Sequence, residues 1–375
     1  MTRPVHALVD PVALQHNLRR VREAAGASRV MAVIKANGYG HGLLTVARAL
    51  DQADAFALTS LEEALVLRDN GVEHRIALLE GFFDPDELDV ISHQGLDIVV
   101  HQSEQIASLE KVRVPRPVAV WLKVDSGMHR LGFAPDEVAS AAARLRACAA
   151  VGSMGFLSHL ACADDRRSLR THDQCETFDA AVTGLDGPRS LANSAGVLGW
   201  PATHLDWVRP GVMLYGVSPF LGGTGSQEGL RPAMTFSTQL VAINRHRRGD
   251  AVGYGASWTC PEDMPVGVAT VGYGDGYPRH AGSGTPVLVN GRRASLAGRV
   301  SMDMITIDLR GHPHARVGDP VVLWGDELAV EEVAEHAGTI AYELLCAVSE
   351  RVPRYPRHGA VVENPAMAAS ATPEM

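Results

Sequence analysis

Lys35 is the residue around which a catalytic site can be assembled. It follows an apolar, mostly β-favouring run, Val30–Ile34, and a glycine-rich stretch, A-N-G-Y-G-H-G, comes directly after it. A short apolar run bounded by turn residues is typical of a buried strand. A lysine at the end of such a strand either reaches solvent or is held in an apolar setting, where desolvation lowers its pKa and makes the amine a nucleophile. The position alone leaves both interpretations open.

A desolvated amine reacts with carbonyl groups, and two chemistries follow. One is a Schiff base with a substrate, as in aldolases, and the other is an internal aldimine with pyridoxal phosphate. The second requires a phosphate site, which a helix N-terminus with small residues can supply. The candidates are Asn193-Ser194-Ala195-Gly196, Arg209-Pro210-Gly211-Val212 and Tyr39. Each is weak evidence alone, because a Ser-Gly turn is usually only a turn.

The first 210 residues alternate apolar strands with helical segments. Asp10-Pro11 has the N-cap and first-turn proline of a helix, and Ser60 with Glu63 has the spacing of a capping box. Apolar strands start near residues 30, 55, 75, 96, 118, 153, 190 and 205. Such alternation predicts a parallel sheet, and eight strands in about 200 residues predict a closed (β/α)8 TIM-type barrel. A doubly wound open sheet is the alternative, but no dinucleotide fingerprint follows the first strand.

A barrel places its active site at the carboxyl ends of its strands. We therefore expect the polar residues at these ends to converge on one mouth. They are Lys35, Lys123, Asp125, Ser158, His159, Asn193, Ser194 and Arg209.

The pattern changes after about residue 230. Short strands separated by Gly, Pro and Asp turns follow, and Val289-Asn290-Gly291-Arg292 is a hairpin signal. A helix is expected over 330–337 and another near Tyr342. We predict an N-terminal barrel over 1–230 and a mainly β C-terminal domain over 231–375, joined through the glycine-rich stretch 222–229.

Composition excludes several classes of protein. The net charge of −9 and the lack of a basic stripe argue against nucleic-acid binding. The five cysteines contain no CxxC pair, so neither a zinc ribbon nor a disulfide framework is expected, and we predict no metal. No apolar run approaches the roughly 20 residues of a membrane span, and the N-terminus lacks a signal-peptide core. We expect a cytoplasmic protein that does not bind membranes.

Eight segments, taken together, resemble the pyridoxal-phosphate-dependent alanine racemases of bacteria. They cover essentially the whole chain and occur in the family's order. The segments are A-V-I-K-A-N-G-Y-G-H-G (32–42), W-L-K-V-D-S-G-M-H-R-L-G-F (121–133), A-N-S-A (192–195), W-V-R-P-G-V-M-L-Y-G (207–216), V-G-Y-G-A-S-W (252–258), G-Y-G-D-G-Y-P (272–278), G-R-V-S-M-D-M (298–304) and A-Y-E-L (341–344).

The resemblance implies a role for each matching residue. Lys35 forms the internal aldimine with pyridoxal 5'-phosphate and then acts as one of two catalytic bases, and Tyr254 is the other base on the opposite face of the α-carbon. Arg209 faces the pyridine nitrogen, and His159 pairs with Arg209. The other positions that match the cofactor site are Tyr39, Asn193, Ser194, Gly211, Val212 and Tyr342.

The resemblance also implies a substrate pocket and a homodimer. Arg130 lies near the substrate carboxylate, and Lys123 stands where many members carry a carbamylated lysine. Tyr273, Met302 and Asp303 match the pocket lining. In the family, the β domain of one subunit covers the barrel mouth of the other, so the active sites are composite.

The sequence departs from the family pattern at three positions. Gly38 stands where alanine is common, Trp258 stands where some members have tyrosine, and Ser301 stands where others have cysteine or alanine. The departures at Trp258 and Ser301 leave strict alanine selectivity open, because a small apolar pocket discriminates poorly against one added hydroxyl. A broader amino-acid racemase, a basic amino-acid decarboxylase and a cofactor-carrying homeostasis protein are the alternatives.

Overall fold

The computed structural model describes residues 3–357 and contains a closed barrel of eight parallel strands. The last strand pairs with the first, Trp207 with Arg29 and Val208 with Val30, which closes the barrel. The predicted (β/α)8 barrel is therefore confirmed. Its strands are Arg29–Val33, Ala55–Leu58, Arg75–Leu78, Asp97–Val100, Val118–Lys123, Val151–Leu157, Arg189–Ser190 and Trp207–Val208.

The last two barrel strands are shorter than the sequence predicts, at two residues each. Backbone hydrogen bonds continue past them, however, since the Arg209 N–H donates to Ala192 O at 2.8 Å. Asn193 already caps the next helix, so the chain leaves the ladder early on this side of the barrel. This early exit brings Asn193, Ser194 and Arg209 to the barrel mouth.

Helices follow the barrel strands, and two of the predicted caps can be compared directly with the structure. Asp10 accepts from the N–H groups of Val12 and Ala13. Ser60 accepts from the Glu63 N–H at 3.3 Å, but the Glu63 carboxylate does not return to Ser60, so only half of the predicted capping box forms. The helices are Pro11–Ala25, Leu43–Ala49, Leu61–Asp69, Glu87–His93, Ser103–Lys111, Val138–Ala147, Arg170–Ala181 and Ser194–Gly199, with short 3-10 turns at Pro201–Thr203, Val212–Tyr215 and Gly225–Glu228.

The C-terminal region is built on a second sheet of eight strands. Met264–Ala269 pairs with Met234–His246 as well as with Ile305–Asp308, so six of these strands close on themselves. The predicted hairpin is present: Val289 pairs with Arg292 across Asn290 and Gly291, which both have positive φ. The strands are His6–Val9, Met234–His246, Met264–Ala269, Pro286–Val289, Arg292–Leu296, Ile305–Asp308, Pro320–Trp324 and Arg354–Pro356.

Smaller elements complete this region. A two-stranded ladder joins Ala251–Val252 to Trp258–Thr259. The expected helices are present as Val330–His336 and Ala341–Ala347. Two further 3-10 turns, Tyr254–Ala256 and Tyr273–Asp275, carry tyrosines that the sequence assigns to the active site.

The chain begins with a strand that the sequence analysis did not identify. His6–Val9 pairs antiparallel with Met234–His246 and parallel with Arg354–Pro356, so it belongs to the second sheet. The predicted division of the chain near residue 230 stays a prediction. Residues 358–375 of the predicted second domain lie outside the described residues.

The C-terminal helix Ala341–Ala347 packs against the barrel mouth. A Cβ at Gly40 would lie 2.0 Å from the Leu345 carbonyl oxygen, so only glycine permits this approach. The Arg354 Nε–H also donates to the Gly40 carbonyl at 2.6 Å. Among residues 3–357, no helix combines the length and apolar character that crossing a bilayer requires.

Candidate active site

Lys35 begins a left-handed turn directly after the first barrel strand. The φ angles of Ala36, Asn37, Gly38 and Tyr39 are 54°, 53°, 61° and 49°, and Gly40 continues the run at 77°. Residues other than glycine rarely adopt this conformation, because their Cβ approaches the following carbonyl oxygen. A run of such residues marks a backbone that the surrounding structure holds in place, and these segments cluster at functional sites.

The turn places Lys35 in a cavity of about 420 Å³ at the barrel mouth. The structure brings twelve of the sequence-predicted site residues together around this cavity. They are Lys35, Tyr39, Lys123, Arg130, Ser158, His159, Asn193, Ser194, Arg209, Gly211, Val212 and Tyr342. Their roles stay predictions, and the strand-end rule accounts for the convergence of those that end a barrel strand.

Arg209 is buried beneath the cavity and held by the barrel backbone. Its guanidinium donates to the carbonyl oxygens of Ser158 and Leu191 and to the Ser190 hydroxyl. Burial lowers the pKa of Arg209 to about 10, so the side chain remains a cation at neutral pH. A ligand atom beside Arg209 would therefore face a positively charged guanidinium that does not readily give up its proton.

His159 lines the same side of the cavity and is neutral. Burial lowers its pKa to about 3, and the nearby charges of Arg209, Lys123, Arg130 and Lys35 act in the same direction. A fifth positive charge, on His159, would be repelled by these four. His159 can therefore offer a hydrogen bond to a neighbour without adding charge.

Lys123 is a buried lysine at the end of its strand. Burial lowers its pKa to about 8, and repulsion by Arg209 and Arg130 contributes. The segment after Lys123 folds back, because the Phe133 N–H donates to Lys123 O at 2.8 Å and the Asp125 N–H donates to Phe133 O at 2.9 Å. This return places Arg130 at the mouth, beside Lys123.

The opposite end of the cavity is lined by hydroxyl groups and backbone amides. Ser194 Oγ accepts from the N–H groups of Gly211 at 2.9 Å and Met213 at 3.4 Å. A Cβ at Gly211 would lie 2.5 Å from the Tyr39 hydroxyl oxygen, so a glycine at this position allows the hydroxyl to approach the backbone. Burial raises the pKa of Tyr342 to about 12 and that of Tyr39 further, so both phenols are neutral donors.

The charges of the lining fit an anionic ligand. Among residues 3–357, the side chains of Lys35, Lys123, Arg130 and Arg209 line the cavity as four cations, and Glu80 is the one carboxylate there. A phosphate at the hydroxyl-lined end and a carboxylate near Arg130 would both be compensated. The residues present therefore fit pyridoxal phosphate together with an amino acid.

Five predicted residues do not line the cavity of their own chain: Asp125, Tyr254, Tyr273, Met302 and Asp303. The strand-end rule placed Asp125 at the mouth, but its carboxylate instead accepts from the N–H groups of Gly127 and His129. The other four lie in the C-terminal region, where Tyr254, Tyr273 and Met302 are 68%, 42% and 54% exposed. The Asp303 carboxylate pairs with Arg351 at 2.6 Å.

The cavity also contains residues that the sequence analysis did not select. Thr59, Leu79 and Glu80 follow the second and third barrel strands, so the strand-end rule could have identified them. Cys346 lies one helical turn after Tyr342, and the spacing of four residues on Ala341–Ala347 was the signal for it.

The fold and the cavity define a TIM-type barrel protein that has a lysine in a cation-rich mouth and a β-rich region after the barrel. Residues 9–219 match the family model of the alanine racemase N-terminal domain, and residues 233–356 match that of the C-terminal domain. The chain belongs to the alanine racemase family, which confirms the resemblance noted from its motifs.

Individual relatives agree over nearly the whole chain. Alanine racemase of Nitrosococcus oceani is 58% identical over 93% of this chain and 98% of its own length, and that of Halorhodospira halophila is 56% identical over 96% and 99%. The crystal structure of the biosynthetic alanine racemase from Pseudomonas aeruginosa superposes with a TM-score of 0.93 at 48% identity. The superposition covers 95% of this chain and 100% of the Pseudomonas aeruginosa chain.

Proposed function

We propose that the protein interconverts L-alanine and D-alanine, using pyridoxal 5'-phosphate held in the barrel-mouth cavity. The observation that carries the proposal is the position of Lys35 among three further cationic side chains in a cavity that also offers hydroxyl groups. The racemase relatives identify the substrate by their names. We place the reaction in the cytoplasm, where it supplies D-alanine for peptidoglycan or serves alanine catabolism.

Several residues would hold the cofactor. Lys35 would carry it covalently, whereas Tyr39, Ser194, Gly211, Val212 and Tyr342 surround the hydroxyl-lined end that suits its phosphate. When bound, pyridoxal phosphate supplies an electron-withdrawing ring system that acidifies the α-proton of an amino acid. A ring nitrogen beside Arg209 would stay unprotonated and limit that withdrawal, because the guanidinium does not readily give up its proton.

Lys35 and Tyr254 are proposed to move the α-proton. Inversion requires a proton to leave one face of the α-carbon and another to arrive on the opposite face, so two groups are needed. Tyr254 lies on an exposed turn, which leaves its hydroxyl accessible to a second chain. Arg299 lies against that turn, since a Cβ at Gly255 would lie 3.1 Å from Arg299 Nη1.

We further propose that the working protein is a homodimer with composite sites. Tyr254 and Lys35 serve one reaction but do not share a cavity in one chain. A twofold pair of chains would place the exposed Tyr254, Tyr273 and Met302 of each over the mouth of the other. Asp303 follows Met302 in the segment between the strands Arg292–Leu296 and Ile305–Asp308.

Arg130 is proposed to bind the substrate carboxylate, and Lys123 to carry a carbamate. The lowered pKa of Lys123 leaves part of its amine uncharged near pH 8, which is the form that adds carbon dioxide. A carbamate there would convert a cation into an anion beside Arg130 and orient its guanidinium. Protein equilibrated with 13C-bicarbonate should show a carbamate carbon signal that Lys123→Arg lacks.

The proposal is tested by α-proton exchange in D₂O. Purified protein is given L-alanine or L-serine, and the products are separated by chiral chromatography and examined by NMR. Deuterated D-alanine that forms with the wild type but not with Lys35→Ala supports the assignment, and the alanine-to-serine ratio sets specificity. A yellow protein that exchanges no proton would instead be a cofactor carrier.

A further inference from the structure

Glu63 has an interaction that its helix does not require. The capping-box position predicts that its carboxylate returns to the N-terminus of the helix Leu61–Asp69. Instead Glu63 Oε1 accepts from the backbone N–H of Asn37 at 2.7 Å, whereas the neighbouring Glu62 carboxylate bonds the Ser60 hydroxyl at 2.6 Å. Glu63 thus connects this helix to the turn that follows Lys35.

The turn is a segment that needs such a contact. Ala36, Asn37 and Tyr39 adopt positive φ although each has a side chain, so the turn does not hold its shape by backbone preference. Asn37 is fixed on both sides: its N–H donates to Glu63, and its side-chain oxygen accepts from the Leu43 N–H at 2.8 Å. The bond to Glu63 is charge-assisted and therefore among the stronger contacts of this kind.

Both ends of the turn reach the cavity. Lys35 begins it and Tyr39 ends it, and both side chains line the proposed cofactor site. A change in the backbone at Asn37 would therefore move the lysine and the phenol together. We propose that Glu63 is a positioning residue, which holds the left-handed turn and thereby sets Lys35 and Tyr39 for pyridoxal phosphate; this inference rests on the proposed function.

The chain offers a matched set of variants. Glu63→Ala removes the carboxylate but leaves the Ser60 cap, which uses the Glu63 backbone N–H. Glu63→Asp keeps the charge but is one methylene shorter, and Glu63→Gln keeps an oxygen acceptor at the same length. Glu62→Ala removes a carboxylate one residue away on the same helix and is the control for loss of charge.

The first readout needs no cofactor. Hydrogen exchange across residues 36–43 of the cofactor-free protein should be faster in Glu63→Ala and Glu63→Asp by about tenfold or more, because the lost bond is charge-assisted. Glu62→Ala should match the wild type. Unchanged exchange in both Glu63 variants would overturn the proposal whatever reaction the protein catalyses.

The second readout is cofactor affinity, measured from the visible absorbance of lysine-bound pyridoxal phosphate. Glu63→Ala should raise the dissociation constant about tenfold or more, Glu63→Gln by about threefold or less, and Glu62→Ala not at all. Faster exchange with unaltered affinity would make Glu63 a structural residue only and overturn its positioning role. If the wild-type protein does not racemise alanine, the proposed function is refuted, but the hydrogen-exchange result remains valid.

Discussion

Gly38→Ala tests how tightly the left-handed turn packs. A Cβ on Gly38 would lie 2.7 Å from Val46 Cγ2 and 3.1 Å from Val46 Cβ. Val46 is fully buried in the helix Leu43–Ala49, and its β-branched side chain is restricted at χ1. The substitution should therefore be destabilising here, and Val46 should be the reason.

The magnitude follows from three contributions. Overpacking a buried position costs about 1–3 kcal/mol, and left-handed backbone costs alanine about 1 kcal/mol more than glycine. Alanine has less backbone freedom than glycine in the unfolded chain, which offsets about 0.5 kcal/mol of this destabilisation. Gly38→Ala should reduce the free energy of unfolding by about 1.5–3.5 kcal/mol.

The assay is a double-mutant cycle in urea unfolding. Val46→Ala alone leaves a cavity and should cost about 2 kcal/mol, but in the double variant the new methyl group occupies that space. The double variant should therefore be more stable than the sum of the singles by about 1–2 kcal/mol. Gly95→Ala, with the same φ of 61° and open space around its Cβ, should show the backbone cost alone. Additivity within about 0.5 kcal/mol would refute the proposed packing.

Three further predictions concern charge. Burial lowers the pKa of His41 to about 4, so between pH 6.5 and pH 4 this histidine is protonated in the unfolded chain but not in the folded chain. The free energy of unfolding should therefore decrease as the pH falls through this range, and the decrease should be smaller in His41→Phe. Asp275 is fully buried and pairs with Arg3 and Arg351, both at 2.8 Å; Asp275→Ala should lower the urea-unfolding free energy by about 2 kcal/mol, less than for a fully buried pair because both arginines are part-exposed. Activity at saturating bicarbonate should rise with pH toward about 8 in the wild type and not in Lys123→Arg, as measured by racemisation rates.

Much of the barrel could be predicted because its signals are local. Apolar runs, Gly and Pro turns and the caps at Asp10 and Ser60 lie within a few residues of the elements they define. The strand-end rule then grouped Lys35, Lys123 and Arg209 without any knowledge of distances. The hairpin at Asn290-Gly291 was predictable for the same reason, since both residues tolerate positive φ.

The features that the sequence analysis missed depend on distant partners. The strand His6–Val9 is four residues long, and its antiparallel partner lies more than 200 residues later in the chain. The left-handed turn includes Ala36, which has no local preference for positive φ and is held by tertiary contacts. Glu63 has the spacing of a capping box, but its carboxylate accepts a hydrogen bond from the backbone N–H of Asn37, which belongs to another segment.

The most direct test of the composite site combines two inactive variants. Lys35→Ala and Tyr254→Phe homodimers should each be nearly inactive. When the two chains are dissociated and reassociated together, half of the dimers should be mixed, and each mixed dimer contains one site with both native residues. We predict recovery of about one quarter of the wild-type racemisation rate. If mixing restores no activity although mixed dimers form, Lys35 and Tyr254 do not serve one site from two chains.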